Sequence, residues 1–174
     1  GAEKAAAAMT AEFGRQIGAA YAAASPKPDL SFEDALTLAS IVEREAVLKQ
    51  ERPIIAAVYL NRLKKRMPLQ ADPTVQFALG HWKKGLTRAD LQTPSPYNTY
   101  QKRGLPPGPI CSPGLESFLG VLNPAKTSAL YFVADMTGGH LFSETNEEHS
   151  KARMQYKKDL RKAKEKIKRE AAAR

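Results

Sequence analysis

The sequence predicts an α+β fold, with a helical body, a small antiparallel or mixed β-sheet and a long C-terminal helix. Three observations support this class. Residues 3–24 are rich in alanine, the strongest helix former. The one clear β-rich run, Leu130–Ala134, precedes a Gly-containing turn and the return His140-Leu141-Phe142, which indicates a hairpin. A highly charged segment typical of a solvated helix begins near Asn146 and continues to the end of the chain.

Helix-capping and helix-breaking residues divide the first part of the chain. The run Ser-Pro-Lys-Pro at 25–28 ends the alanine-rich helix, because proline cannot continue a helical hydrogen-bond ladder. Ser31 and Asp34 fit a capping box, which predicts a second helix from Ser31 to about Leu48. Pro53 suits the first turn of a third helix that ends near Lys65.

The middle of the chain, residues 67–114, is rich in proline and turn residues. So many fixed φ angles favour ordered, stiff loops over a flexible linker. Short helices are expected near 74–79, 87–91 and 114–122. Residues 67–72 and 104–111 are candidates for further strands that hydrophobic patterning does not reveal.

Charge and cysteine content exclude several classes of function. The net charge is +9, and residues 146–174 hold 11 Lys/Arg against 5 Asp/Glu, so the basic character belongs largely to the tail. The tail is either a solvated helix face or a region attracted to anionic lipid or wall polymer. Nucleic-acid binding is disfavoured, because no aromatic-interleaved basic sheet, zinc-finger spacing or helix-turn-helix pattern is present. With one cysteine, Cys111, and three dispersed histidines, we expect no disulfide, metal or other cofactor.

Two glutamates in the second helix are the candidates for acid–base chemistry. At 100° per residue, Glu45 lies on the side of Leu38 and Ile41, whereas Glu43 lies near Ala39. Both flank apolar surface, so helical periodicity alone does not choose between them. Burial among apolar neighbours would raise a glutamate pKa and favour proton donation near neutral pH. The alternative is that both are ordinary surface charges paired with neighbouring basic residues.

Six segments together resemble the catalytic domain of the YceG-like family of endolytic murein transglycosylases. They occur in the family's order and spacing over about two-thirds of the chain. The segments are LASIVEREA at 38–46, AAVYLNRL at 56–63, PLQADPTVQFALG at 68–80, TPSPYNTYQKRGLPPGPICSPG at 93–114, NPAKTSALYFVAD at 123–135 and GGHLFS at 138–143. Two small departures are Ala46, where the family more usually has Thr or Gly, and Pro109, where a smaller residue is common.

The resemblance implies cleavage of peptidoglycan between N-acetylmuramic acid (MurNAc) and N-acetylglucosamine (GlcNAc), with formation of 1,6-anhydro ends. It also implies one catalytic glutamate. We assign that role to Glu45, because a small residue follows it as in other lytic transglycosylases, and Glu43 is the runner-up. A noncatalytic wall-binding module is the alternative function.

Other site residues are predicted with their alternatives. Asp72 is either the second carboxylate that an inverting hydrolase needs or, as we favour, the cap of a short helix. Gln70 is expected to contact substrate or Glu45. Within the resemblance, Asn98, Thr99 and Tyr100 are cleft residues, since amides and tyrosines suit sugar recognition. His140, at the return of the hairpin, ranks lowest as a candidate.

These observations predict three parts: a truncated N-terminal helical extension at 1–30, the catalytic domain at 31–156 and a basic helical tail at 157–174. The resemblance implies peptidoglycan glycan strands as partners, with peptidoglycan synthases as candidates and no nucleic acid. It further implies a full-length protein at the periplasmic or extracytoplasmic face of the bacterial cell membrane. A single-pass anchor, outside these 174 residues, would provide its membrane contact.

Overall fold

Helices form most of the fold in the computed structural model, which describes residues 1–25 and 29–172. The predicted α+β class is confirmed, while the predicted helix break at Pro26 and Pro28 lies outside the described residues. In chain order the elements are α1 (Ala2–Phe13), a π-helical turn (Gly14–Gly18), α2 (Ala19–Ala23), α3 (Phe32–Glu45), a 3-10 turn (Lys49–Glu51), α4 (Arg52–Lys64), α5 (Asp72–Leu79), a second 3-10 turn (Asp90–Gln92), α6 (Leu115–Leu122), β1 (Tyr131–Ala134), β2 (His140–Ser143) and α7 (Asn146–Ala172).

Helix α3 begins as the sequence predicts and ends earlier. The Ser31 hydroxyl accepts a hydrogen bond from the Asp34 backbone N–H at 3.0 Å, which caps the first turn. The helix stops at Glu45, three residues before the expected Leu48, because Ala46 takes an extended conformation with ψ of 120°. The chain then passes through the 3-10 turn at Lys49–Glu51 into α4. Glu45 is therefore the last helical residue, beside a chain reversal.

The core lies where α3, α4 and α6 pack together. Apolar side chains spaced along one face of each helix are buried here, as amphipathic periodicity requires. The fully buried members include Leu38, Ile41, Val42, Ile55, Val58, Phe118 and Val121. The N-terminal extension contributes Ile17 to this core, and the Tyr21 ring packs edge-on against Phe32 at 5.3 Å between centroids.

The predicted hairpin is confirmed. Strands β1 and β2 pair antiparallel with Tyr131 opposite Ser143 and Ala134 opposite His140. The Asp135 carboxylate accepts the backbone N–H groups of Thr137 and Gly139, which fixes the turn. Among the described residues the sheet has only these two strands, so 67–72 and 104–111 add none.

Helix α7 packs its first turns against the hairpin. The Glu148 carboxylate accepts the Thr145 backbone N–H at 3.1 Å and the Thr145 hydroxyl accepts that of Glu148, a reciprocal cap that starts the helix. The helix continues without a break past residue 156 to Ala172, and the predicted basic tail from residue 157 is its C-terminal part. Within 1–25 and 29–172, no helix is both long and apolar enough to span a membrane.

Candidate active site

A groove of about 500 Å³ runs between the end of α3, helix α4, strand β1 and the start of α7. Its lining combines acidic, basic and aromatic side chains from segments far apart in the sequence. The lining residues are Glu45, Val58, Tyr59, Arg62, Leu69, Gln70, Asp72, Leu91, Tyr100, Leu130, Tyr131, Phe132, Val133, His149 and Arg153. Three of the predicted substrate-site residues, together with Glu45, are thus brought to one surface.

Glu45 lies half-buried at the groove wall, and within the described residues its carboxyl group has one hydrogen-bond partner. The Tyr59 hydroxyl donates a hydrogen bond to its Oε1 at 2.9 Å. Burial raises the pKa of Glu45 to about 7; the nearby Asp72 carboxylate also raises it, and the Tyr59 hydrogen bond opposes the rise. Burial likewise raises the pKa of Tyr59, so the phenol stays a neutral donor. Near neutral pH this carboxyl group can both give and take a proton.

Glu43 faces a different part of the molecule. Its carboxylate accepts hydrogen bonds from the Ser117 hydroxyl and from the Gly114 backbone N–H, the latter at 3.3 Å. The Arg52 guanidinium lies 3.9 Å from it. These contacts tie α3 to the N-terminus of α6, where a negative charge is favourable. Of the two glutamates, only Glu45 lines the groove.

Gln70 and Asp72 both line the groove, at the entry to α5. Gln70 has a left-handed backbone, with φ of 52°, and its N–H donates to the Thr99 carbonyl at 3.1 Å. Such strain in a non-glycine residue is common at functional sites. The favoured capping role of Asp72 is wrong: the cap position is Ala71, and no side chain caps this helix. Asp72 instead accepts a hydrogen bond from the Tyr100 hydroxyl at 2.5 Å.

Tyr100 lies in the groove, but Asn98 does not. Burial, with the adjacent Asp72 carboxylate, raises the pKa of Tyr100. The Asn98 side chain is fully buried, and its amide donates to the carbonyls of Leu91 and Thr93 at 3.1 and 2.9 Å. Its Oδ1 accepts the Tyr100 backbone N–H at 3.0 Å. Asn98, predicted as a cleft residue, therefore does not line the groove, and its hydrogen-bonding atoms shape the loop that carries Tyr100.

Thr99 and His140 also lie outside the groove. The buried Thr99 hydroxyl accepts the Ala71 N–H at 3.0 Å and contacts the Thr74 hydroxyl at 2.8 Å, which locks the loop to α5. His140 Nδ1 lies 2.7 Å from Glu51, whose carboxylate also accepts the His140 backbone N–H. In this structure both residues make contacts that hold the fold together.

Sequence reasoning missed the polar face of α4. Tyr59 and Arg62 lie three residues apart on one side of the helix, a spacing that could have marked them as a pair. The Arg62 guanidinium is largely buried and donates to the carbonyls of Leu130, Pro68 and Leu69 at 2.7, 3.1 and 2.7 Å. It therefore joins β1 to the segment that leads into Gln70.

His149, Arg153 and Tyr131 were also missed as site residues. The His149 ring stacks on Tyr131 at 5.2 Å between centroids, and the Arg62 guanidinium lies 5.1 Å from the same ring. Within the described residues, no group of three or more His, Cys, Asp or Glu side chains is arranged to hold a metal ion.

Comparison with known proteins gives the family. The sequence model of the YceG-like family matches residues 1–155, most of the chain. This chain belongs to the YceG-like family. It is 46% identical over 136 residues to the endolytic murein transglycosylase of Bacillus subtilis, covering 78% of this chain and 38% of that protein. It is 36% identical over 145 residues to the endolytic murein transglycosylase of Streptococcus pneumoniae strain D39, covering 80% and 26%.

A solved structure of the YceG-like family is also similar. The crystal structure of a yceG-like protein from Listeria monocytogenes matches with a TM-score of 0.66 and 48% sequence identity. The match covers 70% of this chain and 39% of that one. The YceG-like chain described here thus spans well under half the length of each of these relatives.

Proposed function

We propose that this chain is the catalytic domain of an endolytic peptidoglycan lytic transglycosylase, with Glu45 as its single acid–base residue. The observation that carries the proposal is the Glu45 carboxyl group, which is hydrogen-bonded by Tyr59 in a polar groove and has its pKa raised to about 7. The curated relatives named endolytic murein transglycosylase supply the substrate class.

In the proposed reaction, one carboxyl group performs two proton transfers. Protonated Glu45 donates its proton to the oxygen between MurNAc and GlcNAc, the C1–O bond breaks, and an oxocarbenium-like transition state forms. The resulting carboxylate then removes the proton from the muramyl C6 hydroxyl, whose oxygen bonds to C1 and closes the 1,6-anhydro ring. A pKa near 7 suits both steps, because neither protonation state is strongly disfavoured at neutral pH.

The groove supports supplementary roles for two further residues. Gln70 presents an exposed side chain in the groove that Glu45 also lines, and its amide can bind sugar hydroxyl or acetamido groups. Tyr100 is held by Asp72 at the same wall and can pack against a pyranose ring. We assign both residues to substrate binding.

One observation favours a second candidate, an inverting hydrolase. Asp72 lines the same groove and acts electrostatically on Glu45, so a second carboxylate is available to activate water. The two reactions leave different ends: a transglycosylase leaves 1,6-anhydro-MurNAc, whereas a hydrolase leaves a reducing sugar.

The deciding experiment uses purified peptidoglycan sacculi. After incubation with the parent protein, the released fragments are digested and analysed by mass spectrometry. Muropeptides that end in 1,6-anhydro-MurNAc, lighter by one water than reducing ones, are the expected result. Reducing ends would favour the hydrolase, and binding without any cleavage would favour the noncatalytic wall-binding module.

The cellular setting forms part of the same proposal. The full-length protein would act at the outer face of the bacterial cell membrane, held there by a single-pass anchor outside these residues. It would terminate or trim nascent glycan strands, with peptidoglycan synthases as candidate partners. The relatives' names place their substrate in murein, and their greater length leaves room for further segments.

A further inference from the structure

The groove carries a basic end that the proposed acid–base chemistry does not use. Arg62, His149 and Arg153 line it together with Glu45. The charges that act on His149 are Arg153 and Arg62, whereas the charge that raises the pKa of Glu45 is that of Asp72. The groove is therefore acidic around Glu45 and basic where α7 meets β1.

The two arginines at this end of the groove lack acidic partners among the described residues. No carboxylate lies within 4.0 Å of either Arg62 or Arg153 in the part of the chain that is described. The two acids that directly precede His149 in α7 are engaged elsewhere, since Glu147 pairs with Lys151 at 2.7 Å and Glu148 caps the helix. Positive charge gathered in a concave site without a counter-charge favours an anionic ligand.

The His149 ring is oriented to donate a hydrogen bond. Its Nδ1 is buried and has no hydrogen-bond partner, so a proton there would be unsatisfied. We expect the neutral ring to carry its proton on Nε2, which is then the nitrogen that can donate to a ligand. Burial and the two arginines lower the pKa of His149, which keeps the ring neutral. Stacking on Tyr131 fixes its plane.

We infer that Arg62, His149 and Arg153 form a subsite for a carboxylate group of the glycan substrate. A guanidinium and an imidazole N–H are suited to the two oxygens of a carboxylate. Two sources of this group exist in peptidoglycan: the peptide stem, and the lactyl group of a MurNAc residue that has lost its stem. The inference rests on the proposed function, because it assigns the basic end to the same substrate.

The test compares three soluble glycan substrates. One bears peptide stems, the second has been stripped of stems so that lactyl carboxylates are free, and the third has all carboxyl groups converted to amides. Arg153→Gln removes an exposed charge. His149→Phe keeps an aromatic ring against Tyr131 while removing both nitrogens. Lys151→Gln is the matched control, a cation of the same helix that does not line the groove.

The expected result is a KM about tenfold higher for Arg153→Gln and His149→Phe on the carboxylate-bearing substrate that the subsite recognises. The value of kcat should change by no more than about twofold, and Lys151→Gln should behave as the parent. Strands with amidated carboxyl groups should show a high KM with every protein. The substrate on which the variants differ from the parent identifies the stem or the lactyl group as the source.

Two outcomes overturn the inference while the proposed function stands. One is equal KM of the parent on carboxylate-bearing and amidated strands. The other is an equal rise in KM of the variants on all three substrates, which would indicate disturbed packing. If the parent cleaves none of the substrates, and Glu45→Gln protein binds none of them, the proposed function fails and the subsite with it.

Discussion

The Tyr59 hydroxyl donates a hydrogen bond to Oε1 of Glu45 at 2.9 Å, and this contact links α4 to the end of α3 inside the groove. The bond has two effects. It fixes the orientation of a carboxyl group that extends from the last residue of a helix. It also stabilises the ionised form and so limits the rise in pKa that burial produces.

Tyr59→Phe should therefore move the pH profile of cleavage toward higher pH. Loss of a bond to the charged form lets the pKa of Glu45 rise above about 7. Because the first step needs protonated Glu45, the alkaline limb of kcat/KM should shift upward by about half to one pH unit. Tyr97→Phe is the control, since Tyr97 packs against the Phe77 ring and does not line the groove. An unchanged or acid-shifted limb would contradict this account.

Glu45→Gln should abolish glycan cleavage with little change in fold. Glutamine keeps the shape and can still accept the Tyr59 hydrogen bond, but it cannot transfer a proton. Losing general acid–base catalysis costs about 100- to 10,000-fold, and the loss should lie at the upper end because one residue performs both transfers. Release of muropeptides from sacculi and circular dichroism measure the two properties.

Glu43→Gln tests whether the acid–base role belongs to Glu45 rather than to Glu43. Activity should remain within a few-fold of the parent, while the melting temperature falls modestly, because the Arg52 pair and the link to α6 are weakened. Glu33→Gln, on the exposed first turn of α3, controls for loss of a surface carboxylate. An inactive Glu43→Gln with an active Glu45→Gln would reverse the assignment. If both variants were active, Asp72 would be the next residue to change.

The raised pKa of Glu45 also predicts how stability depends on pH. The folded protein holds this proton up to about pH 7, whereas the unfolded chain releases it near 4.5. Folded protein therefore binds more protons between these values, and the free energy of unfolding should fall as pH rises through this window. After allowance for solvent screening, the fall amounts to about 2 kcal/mol.

The Glu45→Gln variant should not show this fall in the free energy of unfolding with rising pH. Relative to the parent, the variant should gain about 2 kcal/mol of stability between pH 4.5 and pH 8, since it has no proton to lose. Urea unfolding at both pH values measures the difference, with Glu33→Gln as the reference for an exposed glutamate. Parallel pH dependence of parent and variant would show that Glu45 is not desolvated in solution.

Local sequence signals predicted much of the fold. Ser31 and Pro53 mark the starts of α3 and α4 because capping and fixed φ act within one turn. The β-rich strands and the Gly-containing turn likewise predict the hairpin. The end of α3 could not be predicted, because Ala46 has no intrinsic preference for stopping a helix. The chain reversal there is set by packing.

The site was less predictable, because a groove depends on which distant segments meet. The sequence pattern could not separate Asn98, which turns inward to hold backbone carbonyls, from Tyr100, which faces the groove. Helical periodicity likewise left Glu43 and Glu45 undecided. Arg62 and His149 escaped notice because a basic residue in a helix usually faces solvent, and only the packing of β1 and α7 makes these two part of the groove.

Asn98→Ala should destabilise the protein rather than weaken substrate binding alone. The change leaves two carbonyls and one N–H without their buried partner, which costs on the order of 2–4 kcal/mol. The loop that carries Tyr100 should loosen, so the melting temperature and kcat fall together. Asn123→Ala, at an exposed asparagine, is the control. A higher KM with unchanged stability would instead indicate that Asn98 contacts the substrate.

Deleting the residues after Lys162 should leave the chemistry intact and weaken only adsorption to anionic surfaces. Arg153 is the last residue of α7 that lines the groove. The deleted segment carries five Lys/Arg against two Glu. Charge on an exposed helix acts through screened, long-range attraction, so the effect should be large in low salt and vanish near 0.3 M, where the Debye length is only about 6 Å. Cosedimentation with anionic vesicles and sacculi measures adsorption, and turnover of soluble glycan strands measures the chemistry.

Replacing Lys164 and Lys168 by Gln in the full chain should give part of the same loss of adsorption. This variant separates the effect of charge from that of helix length. Unchanged adsorption of the truncated protein in low salt would mean that the tail charge does not drive adsorption. Loss of turnover on soluble strands would mean that the tail belongs to the catalytic domain.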